Sequence, residues 1–310
     1  MIDNSLIEWL LEGDVAIQYQ VWRDLLKEDK PDLKERISEE GWGVKFLSLR
    51  KNNEHWGKGF YQPKWISSHY TLLDLKNLSI SNDIKEIKST INKILREERG
   101  RDGGINPSRL LSNSDVCING MFLNYATYFA INENDLKFIV DFLIVNQMPD
   151  RGYNCRSNRS GASHSSLHTT LSVIEGILEY RQNGYTYRLN ELMKAEAESR
   201  EFILQHKLFR SHRTGEIIDR KMLMLSYPSR WKYDILRALD YFQFAGVEYD
   251  ERMQDALDVL IKKRRSDNKW AIQAKHPGQI HFEMEPTGKP SRWNTLRALR
   301  VLNHFGLIEE

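Results

Sequence analysis

Residues 117–126 read CINGMFLNYA and residues 168–177 read HTTLSVIEGI, and these two stretches decide the fold. Both carry apolar residues at helical spacing, and the seventh residue of each, Leu123 and Ile174, is aliphatic. Working outward, four more copies of the pattern begin at Tyr19 (YQVWRDLLK), His69 (HYTLLDLKNL), Tyr233 (YDILRALDYF) and Trp293 (WNTLRALRVL). The six starts lie 50, 48, 51, 65 and 60 residues apart, and the remaining seventh residues are Leu25, Leu75, Leu239 and Leu299. A repeat of this length holds one supersecondary unit that buries its apolar face only by stacking on its neighbours.

Between the copies lie stretches with apolar residues at three-to-four spacing on otherwise charged helices: 83–97, 133–146, 190–205 and 249–265, with 32–48 as a weaker member. The repeat helices are more apolar and more aromatic than these. Apolar helices ringed by amphipathic ones predict an all-α protein, an α/α toroid of about six inner and five to six outer helices in one domain over residues 1–310. An open solenoid of helix hairpins is the alternative arrangement of the same parts.

Turn-forming stretches precede the repeat helices: Asn53-Glu-His-Trp-Gly57, Asp102-Gly-Gly-Ile105, Asp150-Arg-Gly-Tyr-Asn-Cys155 and Asp267-Asn-Lys-Trp270. Glycine permits the left-handed turn, and aspartate accepts local backbone hydrogen bonds. The order of helix, then QMPDRGYNC or DNKWAIQ, then SLHTTLSV or PSRWNTLRAL resembles the squalene-cyclase and protein-prenyltransferase toroid superfamily. Within it, the chain is most similar to single-toroid bacterial members called squalene-cyclase-like or prenyltransferase-like. The resemblance implies the toroid fold over nearly the whole chain. It also admits a prenyltransferase-like or terpenoid-cyclase-like enzyme.

Composition sets bounds on function. A formal net charge of +2 with 28% charged residues gives no broadly basic face for nucleic acid. The run Lys262-Lys-Arg-Arg265 sits at a helix end, where cations complement the helix dipole. Two cysteines, no apolar N-terminal signal and no long uninterrupted apolar stretch lead to the expectation of a soluble cytoplasmic protein without stable membrane insertion. No structural disulfide is expected in that compartment.

Chemistry is expected where the repeat helices begin. Ser67, Asp115, Ser166 and Ser291 stand two residues before their copies, as N-caps do. One step further in are His69, Cys117 and His168, on three consecutive repeat helices. Thiolate and imidazole suit zinc, and a catalytic site needs three protein ligands and an open position. The resemblance implies a metal at these residues: prenyltransferase catalytic subunits carry Asp-x-Cys at one helix start and His at the matching place in the next. Asp115-Val-Cys117 and His168 stand in that register, with Gly176 following. Arg109 matches a family arginine that contacts the isoprenoid diphosphate, whereas Ser112 replaces the family lysine nearby. Cys155 and His69 complete the candidate zinc ligands; a Cys–Cys–His set of this sort resembles the zinc site of lanthionine cyclases, also α/α toroids. Asp115 is equally a cap, Cys117 a small buried thiol, and the two histidines core residues bonded to the backbone or to hydroxyls. Squalene-type cyclisation is the wrong specific reading, because the chain has neither an Asp-x-Asp-Asp nor an Asp-Asp-x-x-Asp motif.

Copies five and six differ from the others. Pro228-Ser-Arg230-Trp231 and Pro290-Ser-Arg292-Trp293 are near duplicates, and a segment with His276, His281 and Glu283 lies between them. Arginine beside tryptophan offers a fork for a carboxylate or phosphate against a flat apolar wall. This makes Arg230, Trp231, Tyr233, His281, Arg292 and Trp293 candidate ligand-binding residues, with Asp234 or Glu283 as acid or base. Ion pairing of Arg230 or Arg292 with Asp234 or Glu283 is the structural alternative. Two functions survive: a zinc-assisted enzyme for a small hydrophobic, isoprenoid-like or thiol substrate, and a non-catalytic toroid that binds a small anionic-headed ligand or a peptide.

Overall fold

The computed structural model describes residues 3–108 and 112–308, without the side chains of 158 and 159. The described chain is all-α apart from one short strand pair. In order it runs α1 (Asn4–Leu11), α2 (Val15–Gln20), α3 (Pro31–Arg36), α4 (Gly41–Ser48), α5 (Ser68–Asn77), α6 (Lys85–Glu97), α7 (Val116–Tyr128) and α8 (Glu133–Val145). It continues through α9 (Ser157–Ser160), α10 (Leu167–Gln182), α11 (Leu189–Gln205), α12 (Ile235–Phe244), α13 (Gln254–Lys262), β1 (Trp270–Ala271), β2 (Pro290–Ser291) and α14 (Arg292–His304). Contacts gather into two compact units: residues 1–49, 77–81 and 204–310 form the first, and 50–76 with 82–203 form the second.

The repeat register is visible in the helix starts. His69, Cys117, His168 and Trp293 are each the second residue of a helix, in α5, α7, α10 and α14. Their seventh residues Leu75, Leu123, Ile174 and Leu299 are buried, as is Leu239 of α12. The first copy departs from this register. Tyr19 is the fifth residue of α2, and a π-helical turn follows over Val21–Leu25, where Leu26 N–H reaches back to Val21 O. The wider turn rotates Leu25 off the buried line, and it is partly exposed.

In the second unit, α5, α7 and α10 are the apolar helices and α6, α8 and α11 the amphipathic ones. Ile87, Thr90, Ile91 and Ile94 of α6 are fully buried, and so are Leu136, Ile139, Val140 and Leu143 of α8. Both sets follow the i, i+3, i+4, i+7 spacing of a one-sided helix. Residues 32–48, expected as one helix, form α3 and α4 instead, divided at Gly41 with φ +65°. The helices α7 and α10 cross at backbone distance. A Cβ on Gly176 would stand 2.3 Å from Gly120 O, and one on Gly120 would stand 2.7 Å from Val173 Cα. Glycine is therefore a packing requirement at both places.

The turns before these helices share one construction. Trp56, Ile105, Tyr153 and Trp270 anchor them, and all four are fully buried. Each anchor's backbone N–H is held by a polar side chain in the first turn of the repeat helix that follows. Ile105 donates to Asn119 (2.7 Å), Tyr153 to Thr170 (2.9 Å), Trp270 to Thr295 (3.0 Å) and Trp56 to Ser68 (3.1 Å). Asp102 and Asp150 lock their turns further: each accepts from the backbone N–H and the hydroxyl of a serine, Ser114 or Ser165, just ahead of the helix. Pro290 occupies the corresponding place before α14 and has no N–H to give. Asp267 pairs with Arg265 there, and β1 pairs with β2 through Trp270 and Ser291.

Candidate functional site

The turn lock fixes where three helix starts of the second unit present their first residues. Cys117, in the first turn of α7, and Cys155, in the loop after α8, meet here; both are free and partly exposed. The backbone N–H of Cys117 donates to Cys155 Sγ at 3.1 Å, and the Thr169 hydroxyl of α10 donates to the same sulfur at 3.6 Å. The Cys117 thiol is close enough to couple with it. The thiol–thiol hydrogen bond, with the Cys117 N–H and Thr169 adding to it, holds Cys155 below the ordinary thiol range against burial and the nearby Asp115 carboxylate. The same bond, together with burial, pushes Cys117 well up. The two sulfurs therefore sit in unequal surroundings, with Cys155 the acceptor of the pair.

Beside the sulfurs lies an aromatic wall. Burial, with Cys117, Asp115 and Cys155 nearby, pushes the Tyr61 hydroxyl up, and its ring packs on His69 with centroids 5.5 Å apart. Phe60, Tyr70 and Tyr125 also pack on His69, at 5.4, 4.8 and 5.7 Å. His69 is wholly buried; its Nδ1 meets Tyr125 OH at 3.3 Å and its Nε2 has no hydrogen-bond partner. Burial, helped by the Lys64 ammonium, pushes its pKa down to about 3, so the ring is neutral.

Several expectations change in detail. Of the four cap residues, Ser291 accepts from a first-turn N–H, that of Asn294 at 2.9 Å. Asp115 and Ser166 occupy the N-cap position without a side-chain capping bond, and the Ser67 hydroxyl donates to Lys64 O. His168 is half-buried at the second position of α10, but the α10 side chain on Cys155 is that of its neighbour Thr169. Arg109 lies outside the described residues. Among the described residues, no three His, Cys, Asp or Glu side chains are gathered as a metal ion would need.

The remaining candidates belong to the first unit. Asp234 caps α12 by accepting from Arg237 N–H at 2.9 Å, while its Oδ2 is buried without a hydrogen-bond partner. Burial pushes this carboxyl up to about 6, with Arg297 and Arg237 opposing. Arg230 is buried at φ +58°, Lys232 stands 4.0 Å over the Trp231 ring, and the Tyr233 hydroxyl donates to Leu208 O. Half-buried His276 is held down to about 4 by burial and by Lys232, Arg230 and Arg237. Trp293 packs on Tyr227 with centroids 4.7 Å apart. Arg292 is engaged elsewhere, with Trp9 O at 2.7 Å and Glu12 at 3.2 Å. Exposed Glu283 pairs with Lys275, and His281 packs edge-on against Phe46.

Sequence reasoning missed Glu285, whose carboxylate accepts from Arg292 N–H at 2.8 Å and from the Ser291 hydroxyl at the start of α14. It also missed Thr169 and Tyr61. The adjacent Thr169-Thr170 pair was the one available signal, since Thr170 is spent on the turn anchor and leaves Thr169 for the sulfur. A separate open groove of about 630 Å³ runs between α6 and α8 and shares no residue with the thiol site.

No protein-family model matches the chain, and no curated protein matches it in sequence. No described helix is long and apolar enough to cross a membrane.

Proposed function

We propose that this protein is a thiolate-centred enzyme of the α/α-toroid type, acting on a small, largely apolar molecule with an electrophilic centre. One observation carries the reading: Cys155 Sγ collects the Cys117 N–H at 3.1 Å and the Thr169 hydroxyl at 3.6 Å beside an aromatic wall. In this reading Cys155 attacks, the Cys117 thiol holds and returns the proton, and Thr169 orients the sulfur. Tyr61 supplies an apolar face for the substrate. The toroid resemblance is supported by the alternation of buried and amphipathic helices in the second unit and by the shared turn construction. Two sulfurs are also the soft part of a zinc ligand set, but no third ligand is gathered among the described residues, so no step here runs through a metal.

The test is alkylation by iodoacetamide, followed by peptide mass at each cysteine. Cys155 is expected to react at least about tenfold faster than Cys117 at pH 7, with a midpoint below that of an ordinary thiol. Cys117→Ala removes one donor and slows Cys155 several-fold. Equal, slow labelling of both cysteines with an ordinary midpoint would remove the reading.

A second reading rests on the first unit. The charges of Lys232, Arg230 and Arg237 all act on His276, and Asp234 keeps an unpartnered oxygen, features suited to a small ligand bearing an anionic head and a hydrogen-bond donor. Calorimetric titration with small carboxylates and phosphates tests it, and loss of binding in Arg230→Ala is the supporting result.

A further inference from the structure

We propose that Cys117 and Cys155 are a reversible dithiol–disulfide couple that reduces hydroperoxides. The inference rests on the reading of Cys155 as the reactive sulfur and adds to it a partner, a substrate class and a product.

The geometry of the pair is the argument. These are the two cysteines of a 310-residue chain, 38 positions apart, and the fold brings the backbone N–H of one to 3.1 Å from the sulfur of the other. Cys117's own sulfur is three bonds from that nitrogen, so the two side chains share one small volume. Both residues are partly exposed. The surroundings are arranged unequally. Cys155 is the acceptor of the Cys117 N–H and of the Thr169 hydroxyl, donors that stabilise an attacking sulfur and its developing negative charge. Cys117 sits in the first turn of the 13-residue helix α7, held in place by the turn lock of Asp102 and Ser114. Cys155 lies in the loop between α8 and α9, outside any helix.

The chemistry balances with a hydroperoxide as oxidant. The Cys155 sulfur attacks the outer oxygen of ROOH; an S–O bond forms, the O–O bond breaks, and ROH leaves with the thiol proton. The product is a sulfenic acid at Cys155. Cys117 sulfur then attacks that sulfur; the S–S bond forms, the S–O bond breaks, and water leaves with the Cys117 proton. Two thiols and one ROOH give one disulfide, ROH and water, the sulfurs losing the two electrons that the peroxide gains. A dithiol reductant reverses the bond by exchange.

The experiment uses the full chain, hydrogen peroxide and dithiothreitol. One equivalent of peroxide is expected to take the free-thiol count from two to none, to lower the mass by two hydrogens, and to give a Cys117–Cys155 linked peptide without dimer; dithiothreitol restores both thiols. In Cys117→Ser the reaction stops at a sulfenic acid on Cys155 that dimedone traps. In Cys155→Ser the thiol reacts at least about tenfold more slowly. Independent over-oxidation of the two cysteines without a linked peptide, or a link only between molecules, overturns the proposal. Iodoacetamide keeps the two readings apart. Selective alkylation of Cys155 without an internal disulfide leaves the nucleophile and removes the couple; a disulfide without selective alkylation does the reverse.

Discussion

Asp240→Ala is expected to be among the most damaging single changes in the first unit. Asp240 of α12 accepts from Arg300 Nε and Nη2, both at 2.6 Å, and from Arg297 Nε at 3.1 Å. Arg300 also reaches Asp24 at 2.9 Å, and Asp24 is paired with Arg23 at 2.6 Å. Asp240 and Arg300 occupy the same place in repeat copies five and six, so the two copies meet through opposite charges. The side chains of Asp240, Arg297 and Arg300 are at most 10% exposed, so water screens the network little. Removing the carboxylate leaves two buried guanidinium groups short of a partner, and breaking a buried pair in this way costs about 3–5 kcal/mol. Asp24 continues to hold one of the two arginines, which places the expected loss near the lower end, about 3 kcal/mol. An unfolding entropy of about 2.1 cal/mol/K per residue over 310 residues gives roughly 0.65 kcal/mol/K, so Tm falls by about 5 °C. The assay is urea and thermal denaturation followed by circular dichroism, with Arg297→Ala and the double variant completing a cycle. The double variant should lose less than the sum of the singles, by about 1 kcal/mol or more. A loss under about 0.5 kcal/mol in Asp240→Ala, the size of a surface pair, would refute the reasoning.

Three further outcomes are expected. Gly176→Ala places a Cβ 2.3 Å from Gly120 O and should cost about 1–3 kcal/mol, whereas Gly59→Ala, with nothing within 4 Å, should be near neutral; equal melting of the two would count against the glycine crossing. Asp234 has a carboxyl pKa raised from 3.8 to about 6, so its contribution is present below 3.8 and lost as pH rises through about 6. Asp234→Asn keeps the capping oxygen and should gain up to about 3 kcal/mol at pH 7.5 and almost nothing at pH 4; a gain independent of pH would contradict this. His69 is lowered from 6.5 to about 3, so its contribution is present above 6.5 and lost as pH falls towards the folded value. Stability should drop by up to about 1.4 kcal/mol per pH unit per histidine in that window, and His69→Leu should flatten the slope seen in pH-dependent melting.

Much of the architecture was legible in the residues themselves. The spans 83–97, 133–146 and 190–205 became α6, α8 and α11, because a one-sided apolar pattern at 3.6-residue period has a single way to be buried. Register was equally local: a polar residue two places before four of the six copies, a turn-forming stretch ahead of each of those four, and His69, Cys117, His168 and Trp293 at second helical positions. The buried turn anchors Trp56, Ile105, Tyr153 and Trp270 follow the same local logic, since a large apolar residue carried by a turn has to be buried. The first copy escaped that logic because its π-helical turn changes the period at Val21–Leu25.

The site is where tertiary structure took over. Sequence placed Cys117, Cys155, His69 and His168 near helix starts and expected His168 beside the cysteine, but one residue along a helix turns a side chain by about 100°, which repeat register alone does not resolve. The fold chose Thr169, because Thr170 is held by Tyr153 and fixes the rotation of α10. Likewise, no spacing rule joins Cys117 to Cys155 across 38 positions, or Asp24 to Arg300 across 276. Periodicity and turn chemistry act within one turn of helix or one loop, and they are written in the sequence. Which charged and nucleophilic groups meet depends on helix rotation and crossing, and those are set by the packing of the whole unit, down to two glycines that let α7 and α10 touch.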